Sequence, residues 1–298
     1  MFRIKAFADY RATKIEKGWS GDAKYLLEKD QEKLLLRLAD INCYDQKFSE
    51  FQIFKKLEQA KIPSNRPIGF GVCDSGEKVW MALTWVEGVD LRDQLLNFSK
   101  SRQYGFGVEA GKILRKIHAL EIPKPSESWE VRFNKKIDRK LQIYEDCEIK
   151  IPNGEAFIKY LFQNRHLLTS RPQTFHHGDF HEGNMILTCD NRIVPIDFNR
   201  FDYGDPWEDF NRIVFSKDIS PAFASGQIDG YFDGVVPDEF WKLLALYISS
   251  NTISSIPWAI PFGEEEVDFM MKQAENILKD YNNMTTYKPA WYNSKEKF

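Results

Sequence analysis

The stretch His177-Gly178-Asp179-Phe180-His181-Glu182-Gly183-Asn184 decides how this 298-residue chain is read. It is rich in small, polar and titratable residues, poor helix material, and reads as a loop. Two short apolar runs follow, Met185-Ile186-Leu187 and Ile193-Val194-Pro195-Ile196, separated by a turn at Cys189–Asn191. The second run ends in Asp197-Phe198-Asn199, so an Asp stands at a strand end 18 residues after Asp179. A lone Asp or Asn in a loop is ordinarily a turn former or helix cap. Here the spacing Asp-x4-Asn, then strand, turn, strand and Asp, sets three oxygen-bearing side chains in a repeatable frame.

Phosphoryl transfer needs such a set. One carboxylate takes up or orients the proton of the attacking hydroxyl, and an amide oxygen with a second carboxylate holds Mg²⁺ on the nucleotide phosphates. Mg²⁺ prefers oxygen ligands and needs no closed protein cage. The expected roles are therefore Asp179 as catalytic base and Asn184 and Asp197 as metal ligands. His176, His177 and His181 suggest zinc, but no cysteine or carboxylate cluster at ligand spacing completes such a site. His177 reads instead as a packed histidine that holds the loop.

Composition bounds the remaining choices. The chain is 43% hydrophobic and 29% charged, as in an ordinary globular protein. Its net charge of −3 argues against nucleic acid as the main partner, because a phosphate backbone calls for a basic face. The charge is uneven. Residues 201–298 carry 8 Lys/Arg against 16 Asp/Glu, while residues 1–200 carry 33 against 28. An acidic C-terminal third would suit a cationic substrate. Cys43, Cys73, Cys147 and Cys189 form no CxxC pair and read as reduced thiols. No stretch reaches the ~18 apolar residues of a membrane span. The expected location is the cytoplasm, with no membrane partner.

The chain up to Gly88 reads as strand-rich. Thr13–Gly18, Lys24–Lys29 and Lys33–Leu38 are β-like runs, with the turn Gly18-Trp19-Ser20-Gly21-Asp22 between the first two. Tyr44–Gln59 shows helical spacing through Phe48, Phe51, Phe54 and Leu57, and Val79–Val86 is a strong strand. Beyond Gly88 helices dominate, with Val108–Leu120, Gly154–Leu168, Phe240–Ser255 and Glu264–Tyr281 as candidates.

His-Gly-Asp-Phe-His-Glu-Gly-Asn followed by Ile-Asp-Phe resembles the signature of the aminoglycoside phosphotransferase and choline kinase family. Gly178 and Asn199 stand where protein kinases carry the Arg of His-Arg-Asp and the Gly of Asp-Phe-Gly. Gly204-Asp205-Pro206-Trp207-Glu208-Asp209-Phe210 also resembles a stretch common in the small-molecule group.

The resemblance implies an α+β, protein-kinase-like two-lobe fold: a β-rich nucleotide lobe over residues 1–87 and a helical catalytic lobe over 88–298. It implies ATP or GTP as donor, Mg²⁺, and as acceptor the hydroxyl of a small molecule, an aminoglycoside or other antibiotic. Kinases of choline, amino sugars and homoserine type are the alternative. A protein kinase is disfavoured because no Ala-Pro-Glu-like anchor follows Asp197, and a non-catalytic nucleotide-binding module because all three core residues are present.

On the nucleotide side, the resemblance makes Gly18, Ser20 and Gly21 the loop over the phosphates. Arg37 occupies the place of the β3 lysine of protein kinases, a departure found in parts of the family, and it leaves open a share for Lys24 or Lys33. Glu50 is the expected partner of Arg37. Backbone groups at Trp85 and Val86 are expected to meet the base edge, and His118 of Gly111-x6-His118 to pack.

Overall fold

The computed structural model describes residues 4–16 and 21–293. In chain order the strands are β1 (Arg11–Ile15), β2 (Ala23–Lys29), β3 (Glu32–Asp40), β4 (Pro67–Cys73), β5 (Lys78–Thr84) and β6 (Val89–Asp90). They continue with β7 (Thr174–His176), β8 (Met185–Leu187), β9 (Ile193–Pro195) and β10 (Asp202–Gly204). The helices are α1 (Tyr44–Gln59), α2 (Leu91–Gln94), α3 (Lys100–His118), α4 (Trp129–Asp146) and α5 (Glu155–Asn164). After them come α6 (Ile213–Ile219), α7 (Pro221–Phe232), α8 (Asp238–Ile253), α9 (Ser255–Ala259) and α10 (Glu264–Asp280).

Internal contacts divide the chain into two compact units. One comprises Met1–Leu91 and Gly183–Phe201, the other Arg92–Glu182 and Asp202–Phe298.

The first unit is built on an antiparallel sheet in the order β1-β2-β3-β5-β4. Side chains alternate between sheet faces. Leu34, Leu36 and Leu38 of β3 therefore share one face, where they pack in a buried cluster with Leu27, Ala82, Ile4 and Phe7. Arg37 falls on the opposite face. Lys24 lies directly across from it in the β2–β3 register and so shares that face. Helix α1 buries Phe51, Phe54 and Leu57. A smaller antiparallel sheet, β6-β8-β9, belongs to the same unit.

The second unit is helical, with the short pair β7–β10 as the sheet among its described residues, Asp202 opposite His176. Helix α3 starts where Ser99 Oγ accepts the Arg102 N–H at 3.3 Å. Helix α7 starts likewise at Ser220, with Pro221 in its first turn, where the missing N–H does no harm. The two helices pack backbone to backbone through glycines. A Cβ added at Gly107 would stand 2.1 Å from the Phe223 carbonyl oxygen, and one added at Gly226 would stand 2.2 Å from that of Tyr104. Helix α8 is buried almost throughout. Among the described residues no single helix is long and apolar enough to cross a membrane; α8 with the segment to Phe262 reaches that composition only as a pair bent by 43°.

The α3–α7 approach yields a first expectation. Alanine is the better helix former by about 1 kcal/mol, yet Gly107→Ala should destabilise the protein by about 1–3 kcal/mol, because the added methyl meets backbone that cannot swing aside. Urea denaturation measures this, and a variant as stable as the parent would exclude the close packing.

Candidate active site

In the first unit the sheet face opposite the apolar cluster carries a buried charge network. The Arg37 side chain is 3% exposed. Its Nε donates to Asp22 Oδ2 at 2.9 Å and its Nη1 to Glu50 Oε1 at 2.5 Å, while Nη2 lies 2.6 Å from Asp22 Oδ2. Lys47, one turn before Glu50 on α1, reaches both carboxylates, Asp22 at 2.7 Å and Glu50 at 3.1 Å. Burial alone would raise the Asp22 carboxyl; Arg37 and Lys47 outweigh it and hold Asp22 below the ordinary range.

Asp197 belongs to this network. Its Oδ1 is 3.8 Å from Arg37 Nη1 and its Oδ2 is 3.5 Å from Lys24 Nζ. The residue sits in the left-handed region, φ 64° and ψ 64°, which costs a side-chain-bearing residue about 1–2 kcal/mol. Phe198 next to it is fully buried and meets Phe54 of α1 edge-on at 5.8 Å, which anchors the strained turn. Asn184 lies at the same end of the β8–β9 hairpin. Met185 pairs with Pro195, and the Ile196 N–H continues the ladder to the Asn184 carbonyl at 2.9 Å.

These residues fit a magnesium ion. Asp197 Oδ1 is buried and has no hydrogen-bond partner among the described residues, and Asn184 adds a second oxygen donor from the same hairpin end. Among the described residues no cluster of three or more His, Cys, Asp or Glu could hold a metal unaided. A site with one carboxylate and one amide suits a cation that takes its remaining ligands from phosphate and water.

The second unit holds Asp179 on a loop clamped by one carboxylate. Asp209, 1% exposed, accepts the His177 N–H at 2.7 Å on Oδ2 and the Gly178 N–H at 2.8 Å on Oδ1. Gly178 has φ 83°, which a glycine adopts without strain. His118 Nε2 lies 3.2 Å from the same Asp209 oxygen, and its Nδ1 meets Tyr231 Oη at 2.9 Å. Burial would raise the Asp209 carboxyl, but the histidines around it prevail and hold it low. His177 is fully buried and receives the Asp179 N–H on Nδ1 at 3.3 Å. The Asp179 carboxylate is 3.1 Å from Arg212 Nε and 3.8 Å from His181 Nε2.

Glu182 closes the loop. It is fully buried, with Arg92 Nη2 at 2.8 Å and Ser216 Oγ donating at 2.7 Å. Farther along the same unit, Asp205 is held by Arg171 Nε at 2.6 Å and Tyr247 Oη at 2.6 Å.

The structure thus joins Arg37, Glu50 and Asp197 in one network and places Asn184 on the hairpin that carries Asp197. Asp179 lies in the second unit. Lys33 turns away to a surface pair with Glu87 at 2.8 Å, whereas Lys24 faces Asp197. The Trp85 N–H donates to the Lys33 carbonyl at 3.1 Å. Gly18 and Ser20 lie outside the described residues; Gly21 lies within them, in open space. Sequence reading missed Lys47, Asp22 as the second partner of Arg37, and Arg212 beside Asp179. Lys47 had a signal, since it stands three residues before Glu50 on a legible helix. Arg212 had none, because its neighbour lies 33 positions away.

A profile of the Phosphotransferase enzyme family matches residues 11–241, and the chain belongs to that family. Solved structures share its fold. A thermostable mutant of aminoglycoside phosphotransferase APH(4)-Ia, in ternary complex with ADP and hygromycin B, is similar with a TM-score of 0.70 at 14% identity, over 92% of this chain and 96% of that one. A choline/ethanolamine kinase family protein from Mesorhizobium loti is similar with a TM-score of 0.68 at 15% identity, over 94% and 93%. Aminoglycoside 2'-phosphotransferase-IIIa in its GDP complex gives 0.69 at 14%, over 92% and 94%. No curated protein matches the sequence. The family read from the catalytic stretch and the α+β, kinase-like fold are both established by these matches.

Glu182 generates a pH prediction. Burial would raise its carboxyl, but His181, Arg92 and Ser216 prevail and hold it down to about 2, against 4.5 for a free glutamate. A carboxyl depressed in the folded state stabilises fully above its unfolded value and loses that contribution as pH falls towards the folded value. Between about pH 5 and pH 3 the parent should therefore lose roughly 2 kcal/mol more than Glu182→Gln. Urea midpoints across that range report it, and parallel profiles would show that Glu182 is not held ionised.

Proposed function

We propose that this phosphotransferase moves the γ-phosphoryl group of ATP or GTP to a hydroxyl of a small molecule, with magnesium. The observation that carries the reading is Asp197: a carboxylate held at a strained backbone position, one oxygen buried and without a hydrogen bond among the described residues, beside Lys24 and Arg37. Strain of this kind persists where the surroundings over-determine it, and it gathers at functional sites. Family membership and the nucleotide complexes of similar structures, with ADP and with GDP, support a nucleotide donor.

In this reading Asn184 and Asp197 hold the metal, which neutralises charge on the phosphate oxygens when bound. A cation on the polar sheet face of the first unit meets the phosphates, with Glu50 and Asp22 fixing Arg37 on that face. Gly21 stands over the phosphates, and Val86 with the Trp85 carbonyl meets the base. Asp179 accepts the proton of the acceptor hydroxyl, its loop held rigid by Asp209. Phosphoryl transfer asks little covalent chemistry of the protein, so positioning and charge stabilisation are what these residues supply.

Aminoglycosides head the acceptor panel because similar structures include several aminoglycoside phosphotransferases, one with hygromycin B bound. Choline, ethanolamine and amino sugars follow, given the similar choline/ethanolamine kinase family structure. Turnover of an aminoglycoside would make the protein an antibiotic-resistance enzyme.

The test mixes purified protein with Mg·ATP or Mg·GTP and each acceptor, with Asp179→Ala in parallel. Acceptor-dependent nucleotide consumption should fall by about 10²–10⁴-fold in the variant. A variant that keeps its rate within a few-fold would remove Asp179 from the chemistry, and a parent that binds neither nucleotide would overturn the whole reading.

A further inference from the structure

The geometry points to Lys24 on β2, and not Arg37 on β3, as the cation that meets the nucleotide phosphates; the inference rests on the nucleotide reading above and deepens it. Lys24 and Arg37 stand opposite each other in the ladder and project from the same face. Either is placed to serve by position alone, and their partners separate them.

Arg37 is committed. Nε donates to Asp22 Oδ2 and Nη1 to Glu50 Oε1, Nη2 stands 2.6 Å from the same Asp22 oxygen without hydrogen-bond alignment, and the side chain is 3% exposed. For Arg37 to turn to a phosphate, Asp22 and Glu50 would be left as buried carboxylates with one cation fewer. Removing one member of a buried ion group is strongly unfavourable. Lys47 is committed in the same way, its ammonium 2.7 Å from Asp22 and 3.1 Å from Glu50 at 8% side-chain exposure. Lys33 is outside the network, paired with Glu87.

Lys24 differs on each count. Its side chain is more open than those of Arg37 and Lys47, at 15% exposure. Its ion pair is with Asp197 Oδ2 at 3.5 Å, longer than a good charged hydrogen bond. Among the described cations of this network it alone lacks a closer carboxylate. The chemistry of lysine also suits phosphate binding here. It carries a compact charge with three donors on a flexible stem, able to swing a short distance from carboxylate to phosphate. Its contact with Asp197 ties it to the residue proposed to hold the metal, where phosphate oxygens must also come. Arg37, Lys47, Asp22 and Glu50 then form the fixed base against which Lys24 and Asp197 are set.

The experiment separates phosphate binding from base binding. Isothermal titration without acceptor gives Kd for the nucleoside, the diphosphate and the triphosphate with magnesium, for adenine and guanine series alike. In the parent, the ratio of nucleoside Kd to triphosphate Kd measures what the phosphates contribute. Lys24→Met should keep the nucleoside affinity and the melting temperature, and weaken triphosphate binding at least tenfold. Lys24→Arg should recover part of the loss. Arg37→Met should instead lower the melting temperature by several degrees, as a break in a buried ion group does. A folded Lys24→Met protein with the parental ratio would overturn the inference and leave the kinase reading standing. A parent that binds no nucleotide would remove both.

Discussion

A charge taken out of water must be answered where it lies, since an unpaired buried ion is far more costly than a well-matched one. Both units are organised by that constraint. In the first, the Arg37 guanidinium fixes Asp22 at the start of β2, Glu50 on α1 and, more loosely, Asp197 after β9. Three segments far apart in the chain are registered by one side chain. In the second, Asp209 does the same with its two oxygens, taking two successive loop N–H groups and facing His118 of α3. The loop that carries Asp179 thus owes its shape to a residue 30 positions downstream of it.

The same constraint explains the acidic C-terminal part of the chain. Read as composition, Asp202, Asp205, Glu208 and Asp209 form an acidic run. In the fold each is answered inside the second unit. Asp202 takes Arg132 at 2.5 Å, Asp205 takes Arg171, and Glu208 takes Lys136 at 3.0 Å with His176 Nδ1 at 3.6 Å. Arg132 and Lys136 lie one turn apart on α4, so a single helix face supplies two of the countercharges. Glu264–Glu266 at the start of α10 stay outward, where exposed helix N–H groups favour negative charge.

Elements with strong periodicity were legible. Helix α1 spans Tyr44–Gln59 as its spacing indicates, and α10 departs from its expected end by one residue. Helix α4 escapes a reading by pattern, although Trp129, Phe133 and Ile137 recur every fourth position, because charged residues crowd its other faces. Helix α7 was unreadable for a different reason. Gly226 and Gly230 are weak helix formers locally, and only the close backbone of α3 explains them. The return of Gly183–Phe201 to the first unit is likewise a property of contacts, since nothing local marks a second crossing.

By itself the sequence determined the family and the spacing of the residues proposed as its core. Asp179, Asn184 and Asp197 are residue types that phosphoryl transfer requires, at a spacing set by a loop and a short hairpin, and local information of that kind survives in one dimension. The Arg37–Glu50 pair was also within reach, because strand and helix were both legible and a buried cation demands a carboxylate. Tertiary structure alone decided which cations are engaged and which remain available. Asp22 and Lys47 close on Arg37 and Glu50, Arg212 closes on Asp179, and Lys24 is left on the looser pair. Those are matters of a few tenths of an ångström between side chains distant in sequence, and no pattern along the chain encodes such distances.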